Sequence, residues 1–285
     1  SINLARLVEW PFEKDAAVDE AALADLTRVA VRMLDDVIDI SRYPLPQQEA
    51  EARAKRRIGL GVTGLADALL FCGAAYGSRE AVELTRAWLS VIRREAYRTS
   101  ALLAAEKGSF PCYDPAMLER PSLAGLDQET RALIAEHGLR NGCLTSIAPT
   151  GTTSLLAGNV SSGIEPVFAY SYVRHVLQPD GSRREEPVED LAMRMWREVK
   201  GDLEPPADLF VSAQTLKTCD HLTMQAAAQA LRQYAARYRP GFKEISQGNN
   251  FGISWDECWC RWWCVFGFVL HGGKLKKPPT AGGLI

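Results

Sequence analysis

The stretch from Cys143 to Leu156 constrains the fold more than any other. Cys143-Leu144-Thr145-Ser146-Ile147-Ala148 alternates apolar and polar side chains as a strand does, and Pro149 interrupts it. Thr150-Gly151-Thr152-Thr153-Ser154 then leads into Leu155 and Leu156 as a helix start. A strand that runs through a short polar turn into a helix is a βα unit, and such units build α/β architectures. The same junction carries chemistry. Glycine permits close backbone approach, three threonines and a serine supply hydroxyl donors, and the helix start aims free N–H groups and the positive dipole end at one spot. That combination suits a phosphate. No lysine follows Gly151, so the segment is not a Walker loop, and a plain Thr/Ser helix cap is the bland alternative.

Helical periodicity dominates elsewhere. Residues 19–40 read as an amphipathic helix capped by Asp19, with Leu23, Leu26, Ala30, Met33, Leu34, Val37 and Ile38 on one face. The charged residues 49–57 start another helical region. Residues 81–107 place Leu84, Trp88, Val91, Ile92, Leu102 and Leu103 on an apolar face, and Gly108 supplies the stop. Residues 111–126 read as loop, 167–177 as a strand, and 191–199 and 219–238 as helices. The class is therefore α/β and helix-rich. Gly59-Leu60-Gly61-Val62-Thr63-Gly64 formally fits the dinucleotide fingerprint, which needs a buried strand before it. Arg53, Lys55, Arg56 and Arg57 precede it instead, so it reads as a close-packed, glycine-rich helix entry.

Composition removes several function classes. The 285 residues carry 33 Lys+Arg against 35 Asp+Glu, a net charge of −2, so no basic surplus points to nucleic acid. The apolar run at residues 265–270 is far short of the ~20 residues a membrane span needs. The opening Ser1-Ile2-Asn3-Leu4 has no signal-peptide pattern, so a cytoplasmic location is expected, and the absence of an initial Met suggests a start inside a longer protein. The seven cysteines are odd in number and scattered, which favours reduced thiols. Cys258, Cys260 and Cys264 lack zinc-ligand spacing, and no metal site is expected. Residues 255–268 hold Trp255, Trp259, Trp262 and Trp263 without a helix or strand period. A poorly packed tail is therefore expected over residues 230–285.

Several stretches resemble the catalytic chain of ribonucleotide reductases, in wording closest to the adenosylcobalamin-dependent class (class II). They are Arg140-Asn141, Thr145-Ser146-Ile147-Ala148-Pro149-Thr150-Gly151-Thr152-Thr153-Ser154-Leu155-Leu156-Ala157-Gly158-Asn159, and Ser161-Ser162-Gly163-Ile164-Glu165-Pro166-Val167-Phe168-Ala169. Ser1-Ile2-Asn3-Leu4, Arg57-Ile58-Gly59-Leu60-Gly61-Val62-Thr63-Gly64-Leu65-Ala66-Asp67, Glu106-Lys107-Gly108-Ser109-Phe110 and residues 221–229 add to it. The resemblance covers residues 1–229 and implies the C-terminal part of a ten-stranded α/β barrel. Residues 230–285 match nothing in the family, as a shifted reading frame or a foreign join would produce.

The resemblance also implies a chemistry. In the family a thiyl radical generated by the cofactor takes hydrogen from the ribose 3′ carbon, a glutamate assists, the 2′ hydroxyl leaves as water and a cysteine pair supplies electrons. Ribonucleotides become deoxyribonucleotides for DNA synthesis. Pro149, Thr150, Gly151, Thr152, Thr153 and Ser154 match the loop that holds the substrate phosphates, and Ser161, Ser162, Gly163 and Glu165 match the neighbouring active-site wall. The radical cysteine, the glutamate and the reducing cysteine are expected upstream of Ser1, so this chain alone should carry no catalytic residue and not turn over. Cys72, Cys112, Cys143 and Cys219 fall at no family catalytic position and are expected to be small buried residues; His175 and His221 are expected to be structural. Implied partners are adenosylcobalamin, a ribonucleoside di- or triphosphate, a dithiol from a thioredoxin- or glutaredoxin-like reductant, and a second copy in a homodimer. No nucleic acid or membrane partner is implied. Two rival readings are the large subunit of the di-iron-radical reductase class and a non-catalytic nucleotide- or phosphate-binding module.

Overall fold

Asp19 turns an extended segment into the first long helix, its carboxylate accepting the Ala22 amide at 2.9 Å as an N-cap does. The computed structural model describes residues 1–229. Its first elements are β1 (Ile2–Asn3), β2 (Val8–Glu9), β3 (Ala17–Val18), α1 (Glu20–Ile40), α2 (Pro46–Lys55), β4 (Arg57–Leu60), β5 (Val62–Thr63) and α3 (Leu65–Phe71). Then follow α4 (Arg79–Lys107), α5 (Pro121–Ala124), α6 (Gln128–His137), β6 (Cys143–Thr145), α7 (Gly151–Leu156), β7 (Ser171–Leu177), β8 (Arg183–Glu189), α8 (Leu191–Lys200) and α9 (Thr218–Ala228). The strands form four two-stranded sheets. β1 pairs with β5 and β4 with β6 in parallel, whereas β2–β3 and β7–β8 are antiparallel. Helix and strand are mixed as the sequence predicts, and no closed barrel forms among the described residues.

Helix α4 packs against α1, α6 and α9. Ser78 caps it through the Ala81 amide at 3.1 Å, and Gly108 ends it at φ +83°. Trp88, Val91, Ile92 and Leu103 are buried as their spacing predicts, but Leu102 is exposed. The predicted face of α1 is corrected more strongly. The stripe that enters the core is Leu23, Thr27, Val31, Asp35 and Ile38, while Leu26, Met33 and Val37 face out. The reason is electrostatic. Asp35 is fully buried and accepts Arg56 Nε at 2.9 Å, Arg56 Nη2 at 2.8 Å, Arg140 Nε at 3.2 Å and Asn141 Nδ2 at 2.9 Å. Those bonds rotate the helix away from its most apolar side.

The basic residues ahead of Gly59 mask a strand. Arg56 is buried against Asp35 and Asp39, and Arg57–Leu60 pairs with Cys143–Thr145. The close packing expected of the glycines holds. A Cβ on Gly59 would lie 2.8 Å from Ser146 Oγ, and one on Gly61 would lie 2.6 Å from the Ser146 carbonyl oxygen. The helix that follows is no phosphate site. All of α3 is buried, and Ser161 Oγ accepts its Ala66 and Asp67 amides at 3.1 and 3.3 Å.

Other boundaries shift. Within 111–126, read as loop, Pro115–Glu119 and Pro121–Ala124 form single helical turns. The strand read from residue 167 begins at Ser171, because Val167 packs into the core instead. The last predicted helix, 219–238, is seen as Thr218–Ala228, and its remainder lies outside the described residues, as do the expected tail at 230–285 and Cys258, Cys260 and Cys264. No helix among the described residues is long and apolar enough to cross a membrane.

Candidate functional site

The parallel pair β4–β6 delivers the polar turn. Ser146 donates its amide to the Leu60 carbonyl at 2.9 Å, extending the pairing to the edge of the loop. Pro149 follows, and Thr150 then adopts a left-handed conformation, φ 48° and ψ 23°. A β-branched residue rarely occupies that region, at a cost of about 1–3 kcal/mol, and it persists only when its surroundings fix it. Here they do. The Thr150 hydroxyl accepts the Gly163 amide at 2.7 Å and donates to Thr63 Oγ1 at 3.1 Å, and Thr63 donates in turn to the Ser161 carbonyl at 2.9 Å.

This arrangement diverts the Thr150 hydroxyl from the usual N-cap task, and its side chain makes no capping bond to α7. The exposed first turn, Gly151, Thr152 and Thr153, therefore presents backbone N–H groups and two hydroxyls outward. Ser154 points the other way. It is buried, donates to the Gly151 carbonyl at 2.8 Å and lies 3.0 Å from Ser162 Oγ.

The second predicted segment sits directly behind. Every polar group of Ser161 is engaged: its hydroxyl caps α3, its amide donates to Asp67 Oδ2 at 2.9 Å, and its carbonyl accepts Thr63 Oγ1 and the Gly64 amide. Gly163 has φ +50°, and a Cβ there would stand 2.7 Å from the Ala148 carbonyl oxygen, so glycine is required for the two segments to touch. The Glu165 amide donates to the Ser162 carbonyl at 2.9 Å; its carboxyl is reached by solvent, yet desolvation by its surroundings raises its pKa. Tyr76 braces the next turn, donating to the Ile164 carbonyl at 2.6 Å.

The structure thus joins Thr150 to Gly163 and Ser154 to Ser162, exposes Gly151, Thr152 and Thr153, and buries Ser161. Sequence reading missed Thr63, whose hydroxyl links the two segments; its place inside the glycine motif at residues 59–64 was the available signal. Cys72, Cys112, Cys143 and Cys219 are free thiols. Burial, aided by Glu80, lifts Cys72 to about 11 and burial also raises Cys143, so neither is poised as a thiolate. Cys112 and Cys219 correct the expectation of burial, since both are exposed. His175 lies exposed on β7, 3.7 Å from Glu185, and burial lowers the pKa of the half-buried His221. Asp35, Asp36 and Asp39 lie close enough together to share a cation, but Arg56, Arg140 and Lys107 already balance them.

Compared with known protein families, residues 1–233 match the ribonucleotide reductase barrel domain. Over 248 residues the chain is 39% identical to the vitamin B12-dependent ribonucleoside-diphosphate reductase of Mycobacterium tuberculosis strain H37Rv, which covers 80% of this chain and 32% of that protein. The enzyme of the same name from Thermoplasma acidophilum is 34% identical over 245 residues, covering 80% of this chain and 29% of that protein. The ribonucleoside-diphosphate reductase subunit alpha of Chlamydia muridarum is 37% identical over 200 residues, covering 62% and 18%. The chain therefore spans about a third or less of the length of these curated relatives. With the family match running through β4, β6, the Thr150 turn and the Ser161–Glu165 segment alike, the chain belongs to the ribonucleotide reductase barrel-domain family.

Proposed function

We propose that this chain supplies the substrate-phosphate wall of an adenosylcobalamin-dependent ribonucleotide reductase, the class II type, which makes deoxyribonucleotides for DNA synthesis by thiyl-radical chemistry. The observation that carries this reading is the outward first turn of α7, left uncapped because the Thr150 hydroxyl is held by Gly163 and Thr63. The amides of Gly151, Thr152 and Thr153 and the hydroxyls of Thr152 and Thr153 bind the phosphates of a ribonucleoside di- or triphosphate. Pro149 lies in the turn after β6, which ends at Thr145, and Ser154, Ser161, Ser162 and Gly163 hold the loop from behind. Glu165, with its raised pKa, is a wall residue suited to hydrogen bonding with a sugar hydroxyl.

The B12-dependent relatives align over 80% of the chain and the alpha subunit over 62%, which supports the cobalamin class. When bound, adenosylcobalamin supplies the radical. Two grooves on the described surface, one along Ile38, Glu51 and Arg57 and one between α1 and α4, include no residue of 149–165. We assign the radical cysteine, the assisting glutamate and the reducing cysteine of such a reductase to none of the residues described. We place residues 1–229 in the C-terminal part of a ten-stranded barrel. A cytoplasmic homodimer served by a thioredoxin- or glutaredoxin-like dithiol fits this assignment.

The test is calorimetric titration of the chain with a ribonucleoside diphosphate. Replacing Thr152 and Thr153 together with valine keeps their shape and removes two donors. Each lost bond to a charged group costs about 1.5–3 kcal/mol, or about ten- to a hundredfold in affinity. Binding by the double variant as tight as by the unaltered chain, or none by either, would rule out the phosphate role.

A further inference from the structure

Asp67 on α3 and Asp190, the N-cap of α8, are far apart in sequence and meet in the interior. Asp67 is fully buried and Asp190 is 5% exposed, and the two carboxyl groups lie close enough to act on each other. Each has one further anchor. Asp67 Oδ2 accepts the Ser161 amide at 2.9 Å, and Asp190 Oδ1 accepts the Ala192 amide at 2.9 Å. Asp67 Oδ1 is buried and has no hydrogen-bond partner among the described residues. A carboxylate is an acceptor only, so two carboxyls can bond to each other only through a proton. Two ionised carboxylates in one desolvated site also repel strongly.

The charged and titratable groups facing the pair do not remove this need. Arg194 is a cation acting on both acids, and its guanidinium is bonded to the Gly158 carbonyl. Glu189 adds a negative charge beside Asp190. Tyr170 gives its O–H to the Val211 carbonyl at 2.7 Å and offers the acids nothing.

We infer that Asp67 acts as a neutral carboxylic acid, donating its proton to Asp190 while its other oxygen fixes the Ser161 amide, and so positions the wall behind the Thr150 loop. The path is short. Ser161 takes the Thr63 hydroxyl on its carbonyl, and Thr63 takes the hydroxyl of Thr150. One shared proton thereby ties α3 and α8 to the segment that holds Thr150 in its left-handed conformation. Only what the positioned loop binds rests on the phosphate reading.

Burial first, and then the charge of Asp190, raise Asp67 well above the usual carboxylate range; burial raises Asp190 to about 6. A group with a raised folded-state pKa binds its proton more tightly when folded. Its stabilisation is complete below the unfolded value of about 4 and is lost as pH rises through the folded value. The chain should therefore lose stability from about pH 4 through pH 6 and beyond.

The experiment is side-chain carboxyl carbon NMR of the 285-residue chain across pH 4–9, with urea unfolding of Asp67→Asn and Asp67→Ala over the same range. At pH 7 Asp67 should give the signal of a protonated acid and not that of a carboxylate. Asp67→Asn can donate to Asp190 and accept from Ser161. It should keep the Thr150–Gly163 amide shifts and flatten the fall in stability with pH, whereas Asp67→Ala should displace those shifts. Titration of Asp67 alongside the exposed aspartates, or an asparagine variant as damaged as the alanine one, would overturn the inference. A protonated Asp67 in a chain that binds no nucleotide would instead sink the phosphate reading and leave this one standing.

Discussion

Replacing Asp35 with alanine removes the acceptor on which the starts of both loop-bearing strands converge. Arg56 immediately precedes β4 and Asn141 stands just before β6, and both bond to the Asp35 carboxylate, as does Arg140. Breaking a buried pair by deleting one partner costs about 3–5 kcal/mol, because the remaining charge stays desolvated. Asp39 moderates the loss. It is partly exposed and keeps two bonds to Arg56, at 2.7 and 3.1 Å, so Arg56 is not stranded. Arg140 and Asn141 lose their bonds to the carboxylate, which places the expected cost near the low end, about 3–4 kcal/mol. At about 2–4 °C per kcal/mol for a chain of this size, the melting temperature should fall by roughly 6–16 °C. Thermal and urea unfolding followed by circular dichroism would measure it. The comparison is Asp36→Ala, which removes a partly exposed pair with Lys107 at 2.6 Å and should cost less than about 1 kcal/mol. Equal losses in the two variants would refute the claim that the buried network anchors these strands.

Two glycines separate folding from binding. Gly163→Ala forces a Cβ to within 2.7 Å of the Ala148 carbonyl oxygen at φ +50° and should cost about 1–3 kcal/mol in urea unfolding. Gly151→Ala meets nothing within 4 Å, so unfolding should change by less than about 0.5 kcal/mol while calorimetry shows weaker nucleotide binding. The purified chain, given adenosylcobalamin, a dithiol and a ribonucleotide, should form no deoxyribonucleotide, because the hydrogen-abstracting, proton-transferring and reducing groups act as a unit and no described residue is assigned any of the three roles. Product detected by chromatography would contradict that division of labour.

What the sequence made legible is local. The Asp19 cap, the Gly108 stop and the helix start at Gly151 each depend on residues a few positions apart, and each is found where its pattern predicts, whereas the Ser78 cap was not read from the sequence. What it hid depends on partners distant in the chain. Arg57–Leu60 is short, glycine-bearing and preceded by basic residues, and it becomes a strand because Cys143–Thr145 pairs with it and Asp35 neutralises Arg56. The buried face of α1 follows Asp35 into the core, against the apolar pattern of Leu26, Met33 and Val37. Ser161 reads as a wall residue in sequence, yet its hydroxyl is used on the amides of α3. The Asp67–Asp190 contact carries no motif of its own, and Thr63 shows only as a position inside the glycine motif, because their meaning lies in hydrogen bonds to Ser161 and Thr150.

The most direct test of the phosphate wall is amide NMR of the isotope-labelled chain, titrated in parallel with a ribonucleoside diphosphate, inorganic pyrophosphate and the free nucleoside. N–H groups that bind phosphate from the first turn of α7 should shift with both phosphate-bearing ligands and not with the nucleoside. The account predicts saturable shifts centred on Gly151, Thr152 and Thr153, with smaller ones at Gly163, whose amide is bonded to Thr150. Unmoved amides at Gly151–Thr153 while the diphosphate perturbs another part of the chain, or equal shifts with the bare nucleoside, would contradict it.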